Sequence, residues 1–345
     1  MAILMLCDTP VYDIANDTVL NKHLCPFIHA KDTRSAYEIW YSHRAYLKTN
    51  RTAERVVSQL GGENTFEAKR RLSLSDSFWI KYEYDKETKF DEITPYNNPF
   101  SLLEVKPGIA RSSAVPELVL GGSQPKQWGR SQEGTTYMTK AEQSGQIHAE
   151  MLAVQLALKS GLKTMNAFVQ TEKGKLYAKD YRKSFDYSNL GLINIINITN
   201  TKRSMIQFDQ LGIGVNGYDI NNVVAAYIKA GVTEDIENIT LTQILFDCVI
   251  GNIDRKNNNS NWAVFMDHDN GKRRPSWLYD FNWANLTTEA VEMMEEVIHG
   301  VKKARLEQRA IQYLLPIITA CSLLGLELWH GNAQKLLKAF QVQAV

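Results

Sequence analysis

Asp254, Lys256 and Asn259 stand in the run Asp254-Arg255-Lys256-Asn257-Asn258-Asn259, and a further carboxylate follows in Tyr279-Asp280-Phe281-Asn282. By residue type these segments read D-x-K-x-x-N and D-F-N. Phosphoryl transfer calls for a carboxylate to take the proton of the attacking hydroxyl, an amide oxygen for Mg²⁺, and a second carboxylate on the metal. A catalytic loop of that kind separates base and amide by five residues, the interval from Asp254 to Asn259. An Asn-rich surface turn has the same composition, because Asn and Asp side chains bond to their own backbone in turns. The second carboxylate, set among Trp277, Leu278, Phe281 and Trp283, favours the phosphoryl reading.

Such chemistry also needs groups upstream to hold phosphates. Leu120-Gly121-Gly122-Ser123-Gln124-Pro125-Lys126 offers a loop whose glycines let backbone amides approach phosphate oxygens, with Lys126 as a cation. A plain hairpin turn is the other reading of Gly-Gly-Ser. One hairpin later, Lys140 ends the strand-like Tyr137-Met138-Thr139-Lys140 and can reach the α- and β-phosphates. Glu150, near the start of the next helix, is its candidate ion-pair partner. Taken singly, a lysine or a glutamate is usually just solvated. The ordered set of loop, lysine, glutamate, D-x-K-x-x-N and D-F-N is what gives them meaning.

The elements that must carry these groups fall into a β-rich stretch followed by a helical one. Residues 2–14 predict a β-hairpin around Asp8-Thr9-Pro10. Tyr37, Trp40, Tyr41 and Arg44, then Val56, Val57 and Leu60, recur at helical steps from Thr33 until Gly61-Gly62 stops them. The aromatics Tyr37, Trp40, Tyr41, Phe78 and Trp79 are expected to be core. Strands are expected at Glu117–Leu120, Trp128–Arg130, Thr135–Thr139, Ala167–Thr171 and Lys175–Tyr181. A helix from His148 to Ser160 is closed by Gly161. From Tyr187 onward the pattern reads as mainly helical. Its segments are Asn222–Ala230, Thr240–Ile250 ending at Gly251 directly before the Asp254 loop, and Thr288 to the end. The expected division is an N-terminal subdomain at 1–90, a β-rich lobe at 91–182 and a helical lobe at 183–345.

Bulk composition narrows the classes. The 345 residues are 44% hydrophobic and 22% charged, ordinary for a soluble globular chain of two lobes. Lys plus Arg is 39 and Asp plus Glu 38, so no global basic field argues for direct nucleic-acid binding. The clusters Lys272-Arg273-Arg274 and Lys302-Lys303 with Arg305 read as solvated surface. Four scattered cysteines (Cys7, Cys25, Cys248, Cys321) and seven histidines without metal spacing suggest neither disulfides nor a protein-built metal site, and fit a reducing cytoplasm. No signal peptide or membrane span is expected.

With these motifs in place, the chain resembles the HipA-like serine/threonine kinase family, in a compact bacterial form. The resemblance runs from the Leu6–Ile14 hairpin to Trp283. It rests on Ser73-Leu74-Ser75-Asp76 with Phe78-Trp79-Ile80-Lys81, on Pro95-Tyr96 with Asn98-Pro99-Phe100, and on Gly122-Ser123-Gln124-Pro125-Lys126. It continues through Ala178-Lys179-Asp180-Tyr181, Gly251-Asn252-Ile253-Asp254-Arg255 with Asn258-Asn259, and Tyr279-Asp280-Phe281. It implies an α+β, two-lobed protein-kinase-like fold with an additional N-terminal subdomain. ATP and Mg²⁺ are the implied cofactors. Asp254 is the implied base, Asn259 and Asp280 the metal ligands, Lys140 and the Gly122–Lys126 loop the phosphate groups, and Ala178–Tyr181 the hinge that reads adenine. There are three departures. Lys256 stands where the similar family members carry His; lysine is what typical serine/threonine kinases use there, and it can neutralise charge on the transferring group. Asn282 replaces a glycine, and Val119 occupies the position of the toxin's autophosphorylated serine, with Ser123 nearby.

The function expected from the sequence is an ATP- and Mg²⁺-dependent kinase acting on a hydroxyl, Ser or Thr of a protein substrate, itself included. Two alternatives stay open: an inactive kinase fold used as a binding module, and a toxin component with a small antitoxin-like partner in a repressor complex.

Overall fold

A computed structural model describes residues 2–44, 76–93, 126–130, 136–141, 146–164, 166–167, 171–172, 175–179, 193–194, 203–281, 284 and 288–341. The apolar run of β1 (Ala2–Leu6) reverses through the Cys7-Asp8 turn into β2 (Thr9–Asp13), and the two pair as an antiparallel hairpin. The short β3 (Thr18–Val19) and β4 (Phe78–Tyr82) extend it into a four-stranded sheet ordered β3-β2-β1-β4. α1 (Thr33–Arg44) lays Tyr37 and Trp40 against it, and Trp40 meets Phe78 edge-on at 5.5 Å. Trp40, Phe78 and Trp79 are fully buried, as expected of core aromatics. The one-turn α2 (Phe90–Ile93) follows, with Phe90 buried.

A second antiparallel sheet, ordered β5-β6-β9-β8, comprises β5 (Lys126–Arg130), β6 (Thr136–Ala141), β8 (Thr171–Glu172) and β9 (Lys175–Lys179). Between β6 and β8 run α3 (Gln146–Lys159) and β7 (Asn166–Ala167), the latter paired with β10 (Ile193–Asn194). The stretch expected as one strand from Ala167 to Thr171 is therefore divided between two strands in different sheets. The expected strand at Glu117–Leu120 lies outside the described residues.

The C-terminal half holds α4 (Ile220–Lys229), α5 (Ile236–Ile250), the single turn α6 (Asp254–Asn257), and α7 (Thr288–Lys303), α8 (Glu307–Leu323) and α9 (Glu327–Gln341). α5 is buried along most of its length and packs on α4, α7, α8 and α9. This half is not purely helical. β11 (Arg203–Gln207), β12 (Ala263–Asp267) and β13 (Arg273–Pro275) form a third antiparallel sheet, with Met205 opposite Phe265 and Phe265 opposite Arg274. Helical periodicity missed it because β12 is a short run buried on both faces, which carries no period of its own.

Burial also corrects the reading of Lys272-Arg273-Arg274 as solvated surface. Arg273 is only 4% exposed, and its guanidinium donates to the carbonyls of Ala230, Cys25 and Pro26 at 2.8–2.9 Å. Five N–H donors on a planar fork allow one side chain to serve three carbonyls. Beside it, Gly271 (φ +69) and Gly231 (φ +86) leave room for the 23–29 segment: a Cβ would lie 1.9 Å from the His23 carbonyl oxygen and 2.2 Å from the His29 ring, respectively. One apolar cluster runs without a break from Leu4 and Trp40 to Phe246 and Phe340.

Candidate functional site

α5 ends where Gly251 takes a left-handed conformation (φ +71), a position that suits glycine, and its N–H caps the Asp247 carbonyl. The chain reverses through the buried Asn252 into α6, which presents Asp254 at its first residue. Asp254 stays partly exposed, and its Oδ2 accepts a hydrogen bond from Asn261 Nδ2 at 2.6 Å. Burial, and then repulsion from Asp280, raise the Asp254 pKa above its ordinary 3.8, against the lowering effect of Asn261. The two carboxylates predicted from the sequence are thus within electrostatic reach of one another. Asp280 has a left-handed backbone (φ 58). That conformation is uncommon for a residue with a Cβ, and such backbones gather at functional sites.

The amides of the loop make separate contacts. Asn259 Oδ1 accepts the Val215 N–H at 2.8 Å and so ties the loop to the 213–218 segment. Asn258 Oδ1 accepts from the Ser260 amide and hydroxyl. Asn261, which the sequence reading did not single out, is buried and is the amide bonded to Asp254. One signal could have found it: Asn261 directly precedes the apolar run Trp262-Ala263-Val264-Phe265, which fixes it at the mouth of β12.

Arg255 holds the loop in place. Its side chain is fully buried; Nε donates to Asp247 Oδ2 at 2.6 Å, Nη2 to the Tyr279 carbonyl at 2.7 Å, and Nη1 to the Asn261 carbonyl. The guanidinium carbon lies 5.5 Å from the Trp262 ring centroid and 5.3 Å from that of Tyr279. Burial works against the Arg255 charge, but Asp247, Tyr218 and Tyr279 together more than offset it and hold the guanidinium pKa above its ordinary value. Asp247 also accepts from Tyr218 Oη at 2.9 Å and Asn252 Nδ2 at 3.1 Å. A buried ion pair is tolerable only when its remaining hydrogen-bonding capacity is satisfied in this way. One clamp therefore fixes the segment before Asp254, the one carrying Asn261, and Tyr279 next to Asp280.

Lys256, two residues after Asp254, pairs its Nζ with Glu296 Oε2 of α7 at 2.6 Å. Upstream, Lys126 and Lys140 are direct cross-strand partners on β5 and β6. Their side chains, and with them a Lys140–Glu150 contact, lie outside what is described. Glu150 itself is fully buried in the first turns of α3. On β9, Ala178 and Lys179 pair with Met138 and Tyr137 of β6. Gly121, Gly122, Ser123, Gln124, Asp180, Tyr181 and Val119 fall outside the described residues. A cavity of about 690 Å³ runs along β12 and β13, reaching Trp277 and Leu278 with Lys163, Arg203 and Arg274 at its walls. Asp254, Asn261 and Asp280 do not line it, so the chemistry is argued from the loop and not from that cavity. Among the described residues, no helix is long and apolar enough to cross a membrane.

No family model matches the chain, and no curated protein does. Among solved structures, the crystal structure of a Helicobacter pylori proinflammatory kinase, CtkA, aligns with a TM-score of 0.39 and 14% identity, over 63% of this chain and 90% of that one. A likeness of that degree carries no argument about function, which rests on this chain's own residues.

Proposed function

We propose that the chain is an ATP- and Mg²⁺-dependent kinase that transfers the γ-phosphoryl group to a hydroxyl, Ser or Thr of a protein substrate. The observation that carries this reading is the Asp254–Asn261–Asp280 arrangement: two mutually repelling carboxylates with an amide bonded to the first, held by one buried clamp. The donor set fits a hard divalent cation, which takes oxygen ligands and would relieve that repulsion. Asp280 and the Asn261 amide oxygen are the proposed metal ligands, with Asn259 assigned to anchoring the loop. When bound, Mg²⁺ supplies neutralisation of phosphate charge.

Asp254 is the proposed base. Its raised pKa makes it a stronger proton acceptor than an ordinary carboxylate, and the Asn261 hydrogen bond orients the oxygen it uses. Upstream, the register supports a phosphate-binding role for the paired lysines. Like charges directly opposite across a ladder destabilise it, and an anion between Lys126 and Lys140 would reverse that. The glycine loop at 121–124, Glu150 beside Lys140, and the 178–181 hinge complete the proposed nucleotide site.

Calorimetric titration of Mg-ATP tests the reading. Binding is expected for wild type and for Asp254→Asn, with Asp280→Asn losing its Mg²⁺-dependent affinity. No binding at millimolar nucleotide would remove the proposal.

A further inference from the structure

Glu296 sits in a seat built from three directions. Its Oε1 accepts the Tyr218 N–H at 2.7 Å, and its Oε2 takes Lys256 Nζ at 2.6 Å. Gly217, with φ +74, leaves the space it fills: a Cβ there would lie 2.2 Å from Glu296 Oε1. Tyr218 carries the connection inward, since its hydroxyl lies 2.9 Å from Asp247 Oδ2 of the clamp and 3.1 Å from the Asn252 carbonyl, two acceptors for its single proton. An ordinary surface ion pair joins two floppy side chains. Here the carboxylate is fixed by backbone before the lysine arrives, and the Lys256 and Glu296 side chains are 27% and 31% exposed, so water screens them only in part.

We infer that Glu296 is a positioning residue: it is the resting counter-ion of Lys256 and sets how much of that cation a phosphoryl group receives. The inference rests on the kinase reading and deepens it. Lys256 lies two residues from Asp254, and on a helical turn such residues do not face one another. Its ammonium is a compact charge on a flexible stem, able to leave a carboxylate for a phosphate of higher charge. Glu296 therefore competes with the nucleotide for Lys256, keeping the cation close while the site is empty.

The test uses the full chain, with Mg-ATP as the probe, in calorimetry and in phosphate-transfer kinetics. Glu296→Gln keeps an acceptor for the Tyr218 N–H and removes only the charge. It is expected to tighten Mg-ATP binding about two- to fivefold, the range for a part-exposed ion pair. KM for ATP should fall with it and kcat should not. In a Lys256→Met background the same change should do nothing, an outcome that a merely structural role for Glu296 would not give. Glu296→Asp, which keeps the charge but withdraws it by one methylene, is a second variant expected to act in the same direction by less. Unchanged or weaker binding in Glu296→Gln, or a gain that persists without Lys256, overturns the inference. If wild type binds Mg-ATP and the variants do not differ from it, only this inference falls. If wild type binds none, the kinase reading falls and takes this with it.

Discussion

Asn261 and Asn259 make different contacts within the loop. Asn261 donates to Asp254, while Asn259 accepts from Val215 on a neighbouring segment. The consequence is measurable. Asn261→Ala removes both the orienting bond to the base and the proposed metal oxygen, so kcat/KM should drop by about 10²-fold or more, the scale of a positioned acid–base group. Asn259→Ala leaves those groups in place and loses one loop anchor, with a small loss of activity and of melting temperature. Steady-state kinetics of the two variants side by side decide it, and the reverse ranking would return the metal role to Asn259. Asp254, Asn259 and Asp280 stood out in the sequence because the proposed phosphoryl chemistry calls for those residue types close together. The bond from Asn261 did not, because asparagines at 257, 258, 259 and 261 offer the same side-chain amide and only the folded loop shows which one reaches Asp254.

At the scale of elements, the loop owes its shape to α5, β12 and the segment before Asp280, all joined at Arg255. The helix was legible: Leu241, Ile244, Leu245, Cys248 and Val249 recur at helical intervals and Gly251 stops them. The clamp was not, since nothing local distinguishes Arg255 from the exposed arginines elsewhere in the chain. Its partners reach from Asp247 to Tyr279 and come together only in the folded chain. Replacing Arg255 by Met leaves the Asp247 carboxylate buried without its cation, a change that costs about 3–5 kcal/mol in comparable pairs. Denaturant unfolding should register that loss. Arg255→Lys keeps a charge but cannot reach three acceptors with one planar fork, and it is expected to recover only part of the stability. Equal stability of wild type and Arg255→Met would show that the clamp is not what holds the loop.

Across the whole molecule, the α+β character and the order of strands before helices followed from periodicity and turn residues. The third sheet and the burial of Arg273 did not: β12 carries no period of its own, and both features are made by partners far apart in the chain. β11 pairs with β12 some 60 positions on, and Arg273 donates to Cys25, 248 residues away. Those bonds tie the N-terminal segment to the half that carries Asp254, within one continuous apolar cluster. A rigid frame of that kind is what a base and a metal ligand from separate segments require. The most direct test of the account is phosphate transfer from γ-labelled ATP, to the protein itself and to a cell lysate, by wild type and by the nearly isosteric Asp254→Asn. Wild type should label an acceptor in a Mg²⁺-dependent manner, and Asp254→Asn should transfer about 10²–10⁴-fold more slowly with its fold intact by circular dichroism. Equal transfer by the two proteins would contradict the account and leave the loop an asparagine-rich turn.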